Sequence, residues 1–173
     1  MDSAELRALQ APLKARYREH PEEATVTLRA RATLDDAAVA CKVETGRALI
    51  EAGLHPATGG DGLAACSGDM LLEALAACAG VTLRAVATAL DIPIQSGTIT
   101  VEGDLDFRGT LGVAKDQPVG FKEIRMICEL DTDATEEQRA TLLKLTERYC
   151  VVYQTLARSP SMRISARVVA ERA

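Results

Sequence analysis

Ser67-Gly68-Asp69-Met70-Leu71-Leu72-Glu73-Ala74-Leu75-Ala76-Ala77-Cys78-Ala79-Gly80-Val81-Thr82-Leu83-Arg84-Ala85-Val86-Ala87-Thr88-Ala89-Leu90 is the stretch on which the fold turns. Ser67 reads as its N-cap, Asp69 sits in the first turn where a carboxylate complements the helix dipole, and the helix should end near Leu90, before Pro93. Being apolar nearly all round, such a helix has to be enclosed by protein, either by a sheet wrapped over it or by another copy of itself. Gly80 and the alanines permit close contact. The stretch is long enough to span a bilayer, but Glu73, Thr82, Arg84 and Thr88 interrupt it, and burial inside protein fits better than lipid. No membrane association is expected.

Outward from this helix the pattern changes to strands and shorter helices. Leu6, Leu9, Leu13 and Tyr17 recur at helical spacing over residues 3–19, with Pro12 expected to kink or split that helix. After Pro21, Val26, Leu28, Ala30 and Ala32 alternate with polar residues as a half-buried strand does, and a second strand follows at about 38–44. The segment between Thr45 and Ser67 carries Gly53, Gly59, Gly60 and Gly62 and reads as a loop. Its Gly59-Gly60-Asp61-Gly62 run matches no phosphate-binding pattern and reads as a connector over a site. Alternation marks strands at 97–107 and 121–130, with a loop at 109–120 between them. Thr135-Glu136-Glu137-Gln138 has capping-box form and opens a helix to about Cys150, followed by a short helical or turning segment at 151–156. Met162, Ile164, Ala166 and Val168 alternate as a last strand. Strands and helices without regular βαβ order predict an α+β fold with antiparallel sheet, as one domain over residues 1–173.

Composition limits the function. The 173 residues are 47% hydrophobic, with no Trp, three Tyr and two Phe, so the core is built from Ala, Leu, Val and Ile at close range. Net charge is -5, and the basic residues are scattered, which argues against nucleic acid. The first residues lack the arrangement of a signal peptide, and a cytoplasmic location is expected. Five cysteines, an odd number and widely spaced, argue against a disulfide framework. With only His20 and His55 and no C-x-x-C pair, neither a metal site nor another cofactor is expected.

Cys78 in the long helix and Cys150 at the end of the next strongly helical segment are the best handle on chemistry. Each has two readings: a reactive thiol, or a small residue packed where helices cross (Cys78) or beneath Tyr149 (Cys150). Cys41 and Cys128 fall on apolar strand faces and read as core filler. Glu73 points to a different side of the helix from Cys78 and suits a structural ion pair, for instance with Arg84 across a dimer. Cys66 either marks the start of the helix or serves as an alternative resolving thiol. His55 is either a base at the mouth of a site or a loop histidine bonded to backbone.

The Leu71-Leu72-Glu73-Ala74-Leu75-Ala76-Ala77-Cys78 block, followed much later by Glu147-Arg148-Tyr149-Cys150-Val151-Val152, resembles the OsmC/Ohr family of osmotically inducible and organic-hydroperoxide-resistance proteins. The resemblance runs from the first strand to the last and is closer to the less characterised branch. It implies an intertwined homodimer whose sheets wrap a central helix, and thiol peroxidase chemistry without a cofactor. Cys78 would attack the O–O bond of an organic hydroperoxide, Cys150 would resolve the sulfenic acid as a disulfide, and a small dithiol or protein reductant would reset the pair. Because Cys78 lies mid-helix, its own dipole helps little, and a cation is expected to assist. The resemblance assigns that cation to Arg47 and a supporting carboxylate to Asp69, where the family usually has Glu. Val151 stands where the family commonly has Pro. The competing reading is a non-enzymatic dimer of the same fold that binds an apolar small molecule around Cys78.

Overall fold

A computed structural model describes residues 2–20, 31–34, 40–44, 49–112 and 114–167 of the chain. Helix α1 (Ser3–Glu19) opens on a reciprocal cap, with Glu5 N–H donating to Asp2 Oδ1 at 2.8 Å and Asp2 N–H to Glu5 Oε2 at 2.9 Å. It runs through Pro12 without being split, so the lost backbone bond there is absorbed by the turns on either side.

Strands β1 (Arg31–Leu34), β2 (Ala40–Glu44), β3 (Leu49–Gly53) and β4 (Ala65–Cys66) form one sheet in that order. The alternation predicted at Val26, Leu28 and Ala30 lies outside the described residues, and so does Arg47. Strand β3 corrects the expectation of a loop throughout 45–67. Ile50 and Ala52 alternate with Glu51, and Ala52 is buried, but the glycines that follow mask this short signal. β1, β2 and β3 pair antiparallel as expected, whereas β3 and β4 pair parallel through Ala52↔Ala65 and Gly53↔Cys66. That last pairing fixes Cys66 beside the end of β3 and closes residues 54–64 into a loop. Within the loop, Gly59 ends a 3-10 turn (Pro56–Thr58) at φ 94°, a left-handed conformation that favours glycine.

Helix α2 (Ser67–Ala89) is the predicted long helix, capped at its end by Leu90. Its N-cap is Cys66, not Ser67, and the Cys66 side chain makes no capping hydrogen bond. Strand β5 (Ser96–Asp104) pairs antiparallel with β6 (Glu123–Asp131) as a second sheet. β5 stops short of Phe107, because Asp106 accepts the Arg108 N–H at 3.1 Å and starts the short helix α3 (Phe107–Thr110) instead. Helix α4 (Glu136–Tyr149) carries the predicted capping box, with both Thr135–Gln138 bonds present. Helix α5 (Val151–Ala157) follows at once. The strand predicted at 162–168 is not formed over Ser161–Arg167: this segment is exposed, Ile164 fully so, and pairs with no edge among the described residues.

The fold is α+β, with α2 at its centre, packed on β5, α4 and α5. One stripe of α2, Leu75, Ala79, Leu83 and Ala87, is buried at four-residue spacing. Leu83 and Ala87 meet Ile92, Ala134 and Leu142, while Leu75 and Ala79 meet Cys150. The opposite face is open, with Val81 73% exposed and Ala74 and Ala77 exposed beside it. The expected enclosure of α2 is thus met on one face by the chain itself.

Candidate functional site

Cys150 is completely buried and ends α4 and begins α5 at once, its backbone extended at φ -71°, ψ 108°. Its N–H donates to the Thr146 carbonyl at 2.9 Å, which finishes α4, and its own carbonyl accepts from Gln154 at 2.9 Å, which starts α5. The side chain caps neither helix, so the first N–H groups of α5 stay open toward α2. Cys78 occupies that position. Alanine at 79, with no exposed surface, lets the helix junction come close enough for the two thiols to meet.

The two sulfurs are unequal. Burial by itself would raise the Cys78 thiol, but the Val152 N–H, the Cys150 thiol, the Val151 N–H and the Thr82 hydroxyl all face its sulfur, and together they hold it below the usual thiol range. Cys150 is pushed up, first by burial and then by the neighbouring Cys78, against the opposing Tyr153 and Val152 N–H groups. Cys78 is therefore the partly exposed thiol that ionises more readily, and Cys150 the enclosed one that holds its proton more tightly. As expected, α2 contributes little at mid-helix, and the N-terminus of α5 supplies donors the sequence did not show. Among the described residues, none of the groups that lower Cys78 is a cation.

Asp69 does not join this pair within one chain. It is exposed in the first turn of α2 and faces a cavity with Cys66 and His55. The straight helix between positions 69 and 78 carries the two residues roughly 13 Å apart along the axis and half a turn round it. Glu73 is exposed, and Arg84 donates to the Ile94 carbonyl at 3.0 Å. His55 accepts the Ala57 N–H on Nδ1 at 3.0 Å, as a loop histidine bonded to backbone does. Cys128 lies on the β6 face beside the Leu83 cluster, and burial raises its thiol, as core filler requires.

Three contributors escaped the sequence reading: Thr82 and the N–H groups of Val151 and Val152. Thr82 had a signal, its position one helical turn beyond Cys78. The backbone donors had none, because they depend on where α5 lies. Next to the pair, Leu75, Ile124, Met126, Tyr153 and Leu156, together with Lys122 and Glu123, line a largely apolar cavity of about 310 Å³. The first five of these side chains also pack around Cys150.

One turn before Cys150, the Thr146 hydroxyl is buried and has no hydrogen-bond partner among the described residues. Thr146→Val keeps the shape and removes the unsatisfied oxygen, so it is expected to stabilise the fold by about 1 kcal/mol. Thermal unfolding measures this, and a lowered midpoint would reveal a partner for the hydroxyl.

Comparison with known proteins bears on the fold these thiols occupy. A search of curated proteins finds no match. Among solved structures, an OsmC like protein from Mycoplasma pneumoniae superposes with a TM-score of 0.65 at 19% identity, covering 78% of this chain and 89% of that one. An organic hydroperoxide resistance protein OsmC from Legionella pneumophila gives 0.60 at 18% identity, covering 78% and 90%. A hypothetical protein from Aquifex aeolicus VF5 gives 0.60 at 18% identity, covering 86% and 100%. At these identities the three share a fold with this chain. The OsmC-like protein family itself matches residues 59–165, more than half of the sequence, from the loop before α2 to the tail beyond α5. With the long apolar helix, the second sheet beneath it and the cysteine at the α4–α5 junction all inside that span, the chain belongs to the OsmC-like protein family.

Proposed function

We propose that this protein is a thiol-dependent peroxidase that reduces organic hydroperoxides, with Cys78 as peroxidatic and Cys150 as resolving cysteine. The observation that carries this reading is the adjacent pair of unequal thiols, packed in one cluster, one lowered and partly exposed, the other raised and buried. The Cys78 thiolate attacks one peroxide oxygen, the O–O bond breaks, and the alcohol leaves with a proton. The sulfenic acid so formed is attacked by the Cys150 sulfur, which loses its proton as water departs and the disulfide closes. A small dithiol or protein reductant returns both thiols, as a cytoplasmic setting would allow. The apolar cavity beside the pair suits an organic peroxide better than hydrogen peroxide.

A homodimer belongs to the same proposal. The open face of α2 and the exposed Met162–Ile164 segment are apolar surface that a second copy would cover, each Leu, Ile or Val so buried contributing roughly 1.5–3 kcal/mol. Such a partner is also the means by which Asp69 could approach a Cys78 from which its own chain holds it apart.

The second reading, a non-enzymatic binder of an apolar small molecule, draws on the same cavity and on the absence of any cation facing Cys78 among the described residues. Thiol titration before and after one equivalent of cumene hydroperoxide separates the two. The peroxidase loses two thiols per chain, mapped to Cys78 and Cys150. An unchanged count leaves the binder.

A further inference from the structure

We propose that Thr82 is a further catalytic residue, its hydroxyl following the negative charge from the Cys78 sulfur to the peroxide oxygen that leaves. The inference deepens the peroxidase reading and rests on it. Thr82 lies one helical turn beyond Cys78 on α2, and because helical side chains lean toward the N-terminus, its hydroxyl is carried over the turn that holds the sulfur. A threonine inside a helix commonly donates its hydroxyl proton to the carbonyl four residues earlier. Thr88 does so to Arg84 and Thr155 to Val151, each at 2.8 Å. Thr82 makes no such bond among the described residues, and its hydroxyl faces the sulfur instead. Cys78 and Thr82 are both half-buried, so an incoming peroxide can meet the two together.

Among the described groups that face the sulfur, the Thr82 hydroxyl is the one able to follow a moving charge. The Val151 and Val152 N–H groups are fixed in the backbone at the start of α5, and the Cys150 thiol is consumed in the resolving step. A hydroxyl turns about its own C–O bond. In the reaction the Cys78 thiolate gives an electron pair to the hydroxyl oxygen of the peroxide, and the S–O bond forms as the O–O bond breaks. The O–O pair departs on the carbon-bearing oxygen, and that alkoxide takes a proton from water, leaving hydroxide. The sulfur is oxidised to a sulfenic acid, the peroxide is reduced to an alcohol, and no other oxidant or reductant enters. Charge therefore drains from the sulfur, where the N–H groups hold it, and gathers on the departing oxygen. A donor that turns to that oxygen stabilises the transition state, whereas one fixed on the sulfur stabilises chiefly the starting thiolate.

Thr82→Val keeps the shape and the helix preference but loses the donor, and Thr82→Ser keeps the donor. Each protein is mixed with one equivalent of cumene hydroperoxide in the absence of reductant, or with iodoacetamide, over a range of pH, and modification of Cys78 is followed by peptide mass spectrometry. Iodoacetamide expels iodide, a weak hydrogen-bond acceptor, so its rate reports the thiolate and not a leaving oxygen. In Thr82→Val the high-pH plateau, where Cys78 is fully ionised, is expected to fall at least about tenfold for the peroxide and to stay level for iodoacetamide, with Thr82→Ser restoring the peroxide value. An unchanged peroxide plateau in Thr82→Val, plateaus that fall together for both reagents, or a serine variant as slow as the valine one would overturn the role of Thr82 and leave the peroxidase reading standing. Unaltered protein that is alkylated at Cys78 but not oxidised by the peroxide would overturn both.

Discussion

Replacing Cys78 with serine is expected to abolish hydroperoxide consumption, lowering kcat/KM by at least about a thousandfold, because the hydroxyl retains its proton where the thiol loses it. The same donors that hold the thiol low, led by the Val152 N–H, would then face a neutral oxygen with no charge to stabilise. Cys150→Ser has a different outcome under the same scheme. Cys78 still attacks, and one alcohol is released per chain, but the sulfenic acid finds no thiol to close on and accumulates. A dimedone-type probe should label Cys78 stoichiometrically in that variant and sparsely in the unaltered protein. Full turnover by Cys78→Ser would remove the nucleophile assignment, and an unlabelled Cys150→Ser protein exposed to peroxide would break the pairing. Because Cys150 has no exposed surface, the serine exchange also trades a weakly polar atom for a more strongly polar one, so both variants are compared at matched folded fraction by circular dichroism.

Helix α2 was legible because apolar length, a Gly and Ala background and the approaching Pro93 all agree on it. The capping box at Thr135 was legible for a related reason: both of its bonds lie within four residues. Local signals failed where pairing is non-local. β3 is recognised by its partners β2 and β4 more than by its own residues, and the 162–168 alternation, clear as it is, pairs with no strand among the described residues. The two thiols were singled out from their settings in the sequence. Their meeting and unequal acidity depend on one residue, Cys150, ending one helix and starting another.

The junction makes Val151→Pro the sharpest test of those donors. Valine contributes an N–H toward the Cys78 sulfur, and proline has none to give. The exchange is gentle on the fold, since proline is favoured at the first position of a helix and Cys150 before it already has the extended backbone that a following proline demands. Val151 is also exposed, so no core packing is lost. Removing one donor from a thiolate destabilises the charged form alone, and the Cys78 pKa must therefore rise. A charge-assisted hydrogen bond of about 1.5 kcal/mol corresponds to a shift of roughly one pH unit. The rate of iodoacetamide alkylation at Cys78, followed from pH 5 to 10, should keep its high-pH plateau while its midpoint moves upward by that amount. Below both midpoints the variant should react roughly tenfold more slowly, with peroxide turnover falling in parallel. An unmoved midpoint in a folded Val151→Pro protein would mean that the Val151 N–H does not support the thiolate, leaving the Val152 N–H, the Cys150 thiol and the Thr82 hydroxyl to hold it.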